Sequence, residues 1–171
     1  QLIKDNDSNE VAELIVNGGT IEGYYYAITG NGNYPNSKIT INSGKIEALN
    51  KEDSLGIYHP QKGEIIVNGG EIRGGTGIEM RSGTLLVNNG TIEGIAPKFV
   101  KMVNKNGSTT NGVGIAVAQH TTKNAINVSI LNGNISGQYA FYEWNPHENS
   151  KEDLNKIKLN ISGGEFTGTA E

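Results

Sequence analysis

The sequence predicts an all-β chain wound as a parallel β-helix of about six coils, each built from three short strands. A ten-residue phrase at 14–23 (LIVNGGTIEG) returns at 39–48, 65–74, 85–94, 128–137 and 159–168. Its apolar positions alternate, which is the period of a strand and not of a helix. A second phrase of a small, a bulky apolar and a variable residue follows in five of the six units. Chains repeated in this way stack each unit on the next, so the architecture has to be read before any site.

Taken in order, the first phrase sets Leu14, Val16 and Ile21 on one side and Ile15, Thr20 and Glu22 on the other. Its Asn-Gly-Gly corner tolerates positive φ and bends the chain between two strands. The second phrase (Ala27-Ile28-Thr29, Gly56-Ile57-Tyr58, Gly77-Ile78-Glu79, Gly114-Ile115-Ala116, Ala140-Phe141-Tyr142) supplies the third strand. Counting in twos makes Tyr26 and Ile28, Leu55 and Ile57, Thr76, Ile78 and Met80, Val113, Ile115 and Val117, and Tyr139 and Phe141 the inward residues. The corner glycines Gly19, Gly44, Gly70, Gly90, Gly133 and Gly164 are 25, 26, 20, 43 and 31 residues apart, so the shortest step is a bare coil and longer ones carry insertions. Asn17, Asn42, Asn68 and Asn88 form a column whose amides can bond along the stack.

The insertion near residues 95–111 opens with Pro97 and spaces apolar residues as a helix does, which predicts a short helix over 97–103. That helix would cover an outward apolar row of Ile15, Ile66 and Leu86. A second insertion, 145–156, is polar. Residues 1–13 are a polar leading segment, and 14–171 form a single domain, expected to be a fragment of a larger protein that continues beyond Glu171.

With 24 glycines, 4 prolines, no cysteine and a net charge of −4, the composition fits a secreted repeat protein whose continuous core needs no disulfides. The 14 basic residues are outnumbered by 18 acidic ones and scattered, which argues against a nucleic-acid partner. No apolar stretch is long enough for a membrane-spanning helix, so no membrane insertion is expected. Of the Asn-x-Ser/Thr sequons at Asn89, Asn106, Asn127, Asn134 and Asn160, several fall in strands or corners, where glycans would obstruct stacking, and this favours a bacterial origin.

No catalytic set, metal centre or cofactor site is expected. Asp5, Asp7, Asp53 and Asp153 form no column, and His59, His120 and His147 lie in different units without ligand spacing. Glu79 with Arg81, and Glu143 near His59, are the pairs on which a polysaccharide lyase or hydrolase would have to be built. The alternative is recognition. The small residues Ala27, Gly56, Gly77, Gly114 and Ala140 would make a surface trough flanked by Tyr58, Tyr142 and Trp144, with Asn145 to take sugar hydroxyls. The candidate ligand-binding set is therefore Tyr58, His59, Glu79, Tyr142, Trp144 and Asn145.

The phrase I-x-V-N-G-G-T-I-x-G followed by A/G-I-x resembles, over 14–168, the right-handed β-helix repeats of large secreted or wall-anchored proteins of Gram-positive bacteria, which share the pectate-lyase-like shape. The resemblance implies a right-handed, extracellular or cell-wall-attached module. It carries no enzyme motif onto these residues, since the shape serves lyases, hydrolases, adhesins and spacers alike. The expected function is a non-catalytic spacer or accessory domain that binds glycan or host protein. A β-helix lyase or glycoside hydrolase, and an accessory domain of a large secreted protease, are the alternatives.

Overall fold

The computed structural model describes residues 11–32, 36–102 and 107–170. The first unit contributes β1 (Ala12–Gly23) and β2 (Tyr26–Thr29), the second β3 (Ser37–Ala48) and β4 (Leu55–His59). The third is β5 (Gly63–Val67), β6 (Glu71–Gly74) and β7 (Thr76–Met80). Next come β8 (Gly83–Val87) and β9 (Thr91–Gly94), then the short β10 (Val100–Lys101) and β11 (Thr110–Asn111), and β12 (Val113–Val117). β13 (Ile126–Ile130), β14 (Asn134–Gly137) and β15 (Tyr139–Glu143) precede α1 (Lys151–Leu154), and β16 (Ile157–Ile161) and β17 (Glu165–Gly168) close the order.

The fold is all-β, dominated by one large parallel sheet that curls into a half-barrel. That sheet runs β16-β13-β8-β5-β3-β6-β9-β14-β17, with β1 paired to β3, and a second parallel sheet runs β15-β12-β7-β4-β2. Equivalent residues of successive phrases lie in register: Leu14 on Ile39, Ile39 on Ile65, Ile65 on Leu85, Leu85 on Val128 and Val128 on Leu159. Both ladders are bent around one core of Val16, Ile41, Ile46, Val67, Ile72, Val87, Ile92, Ile130 and Ile135 with Ile57, Ile78, Met80, Ile115 and Val117. Burying an isoleucine is worth about 1.5–3 kcal/mol, so the repeated column is the main source of stability. At the β16–β17 edge the same columns are uncovered: Leu159 is 41%, Ile161 50% and Phe166 38% exposed, against 2%, 0% and 1% for Val128, Ile130 and Ile135 beneath them.

The asparagine column is present. The Nδ2 of Asn42, Asn68 and Asn88 each donates to the Oδ1 of the preceding asparagine at 2.7 Å.

Two expectations are corrected. Residues 97–99 are not helical; Val100–Lys101 instead pairs antiparallel with Thr110–Asn111, a hairpin held because Phe99 packs on Tyr139 and Tyr142 at 4.6 and 4.7 Å. Val103 lies outside the described residues. The outward row is accordingly not covered by a helix: Ile15 is 52% exposed, and Ile66 and Leu86 are half-buried.

The second correction concerns parity in the third strand. A Cβ on Gly56, Gly77 or Gly114 would come within 2.7–2.8 Å of Cγ2 of Ile72, Ile92 or Ile135 and within 2.6–2.7 Å of a neighbouring carbonyl oxygen. These glycines are buried and face the core, so the small-residue column is not a surface trough. The paired register passes from Val113↔Tyr139 straight to Ile115↔Phe141, and the chain bends at the small residue. Of the residues before the bend, Leu55 and Val113 are fully buried as expected and Thr76 is buried with its hydroxyl donating to the Thr110 carbonyl at 3.0 Å, whereas Tyr139 is 38% exposed. The polar 145–156 insertion carries α1, which Ser150 caps by accepting from the Asp153 amide.

Candidate functional site

Register alone places Tyr58 beside Glu79 and Glu79 beside Ala116 on three adjacent strands, with Arg81 just past the end of β7. On a bare sheet these side chains would be solvated. Here residues 107–111 of the first insertion lie over them, and both Glu79 and Arg81 are fully buried.

The Thr109 amide donates to both oxygens of Glu79 at 3.0 Å, its hydroxyl to Oε1 at 2.8 Å and the Thr110 hydroxyl to Oε2 at 3.4 Å. Arg81 Nε lies 3.9 Å from Glu79 Oε1 and donates to the Ala118 carbonyl at 2.7 Å. Its Nη1 donates to the Tyr58 hydroxyl at 3.3 Å and to the Gly107 carbonyl, and its Nη2 meets His147 Nε2. A guanidinium has only hydrogens to offer, so that His147 nitrogen is the acceptor. The His120 ring lies 5.9 Å from His147, and Ser108 donates to Asp53 Oδ1 at 3.2 Å. One arginine thus fastens two insertions that are far apart in sequence.

Burial raises the Glu79 pKa, while Arg81 and the threonine donors oppose the rise. Burial pushes Tyr58 up to about 12 and His59 down to about 4. His120 is lowered to about 4 by burial and then by Arg81 and His147. Asp153 is held well below the usual carboxylate range, chiefly by Lys156 and next by Lys123. Perturbed groups of this kind are candidate acids and bases only where substrate can reach them. Glu79 has its acceptor capacity taken by the covering loop and Arg81 its donors by carbonyls, the Tyr58 hydroxyl and His147, which is the arrangement of a clasp.

The expected binding residues separate into two groups. Tyr58, His59 and Glu79 are buried. His59 sits under the corner, its Nδ1 3.0 Å from the Ser82 carbonyl and its Nε2 3.3 Å from the Ser37 hydroxyl. Glu143 is not beside it: His59 pairs with Met80, whereas Glu143 pairs with Val117, three strand positions away or about 14 Å. Tyr142, Trp144 and Asn145 are half-buried. The Tyr142 and Trp144 rings hold Lys101 Nζ at 5.3 and 5.6 Å, and the Trp144 indole donates to the Thr109 hydroxyl at 3.2 Å. The Asn145 amide closes its own loop through two 2.9 Å bonds to the Asn149 backbone, which leaves it ill placed for sugar hydroxyls.

Thr109, Thr110, Gly107, His120 and His147 were absent from the expected set. The one sequence signal that pointed to them is the run Ser108-Thr109-Thr110, a row of hydroxyls within an otherwise variable insertion. Among the described residues no group of three or more histidines or carboxylates is disposed to hold a metal ion, and no helix is long and apolar enough to cross a membrane. No protein-family model, curated protein or solved structure matches the chain.

Proposed function

We propose that this chain is a non-catalytic module of a larger secreted or wall-attached bacterial protein, a right-handed parallel β-helix acting as a rigid spacer or accessory domain toward glycan or host protein. The parallel pairing of five successive phrases with their equivalents supports the β-helix reading, because each unit completes the sheet edge left by the one before. The observation that carries the non-catalytic reading is the sealed Glu79–Arg81 pair, on which a lyase or hydrolase would have to be built and whose hydrogen-bonding capacity is spent on residues 107–118, Tyr58 and His147. A clasp of this kind fixes the insertions to the stack, and a stiff stack can hold a neighbouring domain at a set distance.

The test is turnover. The purified protein and its Glu79→Gln variant are incubated with a panel of neutral and uronate polysaccharides, following new reducing ends and unsaturated uronate absorbance. No turnover above buffer is expected from either protein. Turnover that Glu79→Gln abolishes would overturn the reading in favour of a lyase or hydrolase.

A further inference from the structure

Beyond the clasp, the outer face of β6, β9 and β14 carries a groove of about 410 Å³. This is within the roughly 300–1,000 Å³ range of small-molecule clefts. Its floor is a row of outward side chains that the sheet register sets side by side, Arg73 on β6, Glu93 on β9 and Ser136 on β14. Gln138 and Thr169 form one wall, and the 95–97 segment the other, with Lys51 at the rim.

From this geometry we infer that the groove is a binding site for a neutral polyhydroxy ligand, a short stretch of uncharged glycan. Arg73 Nε lies 2.8 Å from Glu93 and 3.3 Å from Glu71, and its Nη1 3.6 Å from Glu47. One planar guanidinium among three carboxylates leaves acceptor oxygens with capacity to spare, and of the three Glu93 lines the groove. Lys45 in turn pairs with Glu47; the charged residues that line the groove itself are Lys51, Arg73 and Glu93, with Arg73 already held by carboxylates. An arginine already paired with carboxylates offers its remaining donors beside carboxylate acceptors, a combination that suits vicinal diols. Ser136 and Gln138 add neutral donors and acceptors, and the floor repeats at the ~4.8 Å strand spacing, so it presents polar groups as a ladder along the stack. Tyr139, which follows Gln138, belongs to the cluster with Phe99 and Tyr142 and puts an exposed ring next to the groove wall in the chain.

The site deepens the accessory-domain reading and rests on it. It is tested by calorimetric titration of the whole chain with cello-, xylo-, manno- and laminari-hexaose, and with galacturonate oligomers as the charged control. Saturable binding of a neutral hexaose, weakened about tenfold or more in both Glu93→Gln and Gln138→Ala, is expected. Gln138→Ala removes no ion pair and serves if Glu93→Gln fails to fold. Failure of every neutral hexaose to bind, binding unchanged in both variants, or preference for the galacturonate oligomers would each overturn the site. None of these outcomes touches the non-catalytic reading, which fails only on turnover.

Discussion

Glu79 shows how a residue's role is set by what covers it. Its carboxylate accepts four contacts from Thr109 and Thr110, and Glu79→Gln would turn an amide NH2 toward those donors. A loss of about 1.5–3 kcal/mol in urea unfolding is expected, the range for hydrogen bonds to a charged group. His59 gives the pH dependence. Its pKa falls from 6.5 unfolded to about 4 folded, so between those values the unfolded chain binds more protons and stability rises with pH. The full effect is about 3 kcal/mol, present above pH 6.5 and lost as pH falls toward 4. The melting temperature is expected to drop over this window, and His59→Gln to reduce the slope, leaving the share of His120, which is lowered to about 4 as well. Neither role was legible in the sequence. Glu79 occupies an outward strand position, and only a loop thirty residues further on removes it from water. His59 and Glu143 share one register column, but β7 and β12 lie between their strands, so the order of the units keeps them about 14 Å apart.

At the scale of elements, the corners and columns were legible because they follow from period two and from where glycine and asparagine fall. The asparagine column is the clearest case. Asn68 is bonded on both sides and Asn42 likewise, so Asn68→Ala breaks two exposed links and is expected to cost about 1–2 kcal/mol in chemical denaturation, more than Asn88→Ala. The facing of the small residues was not legible, because a bend there turns Gly56, Gly77 and Gly114 to the core while Ile57, Ile78 and Ile115 beside them stay inward as expected. Gly77 makes this testable. A methyl there would meet the Gly114 carbonyl oxygen at 2.6 Å and Ile92 Cγ2 at 2.7 Å, and Gly77→Ala is expected to destabilise by about 1–3 kcal/mol. On an open trough the same change would be nearly silent. The hairpin at 100–111 escaped notice for a related reason: Pro97, Phe99 and Val100 look helical by spacing, yet Phe99 is drawn to Tyr139 and Tyr142 of a later unit.

For the whole molecule, stacking explains both the stability and the site. Every unit from β3 to β14 lies between two others, so the interior columns are dry and the strands stiff, while insertions are held only by the contacts they make on the outer face. Recognition surfaces on such a frame are assembled from several units, which is why the Arg73, Glu93, Ser136 and Gln138 groove spans strands that no local motif links. The most direct test of the clasp is amide hydrogen exchange by NMR on the wild type beside Glu79→Gln. The Thr109 amide should exchange as slowly as those of β5 and β8 in the wild type and become fast in the variant, with β5 and β8 unchanged. A Thr109 amide that exchanges freely in the wild type would mean that the insertion does not seal Glu79 and Arg81, and that the pair stands open to a substrate.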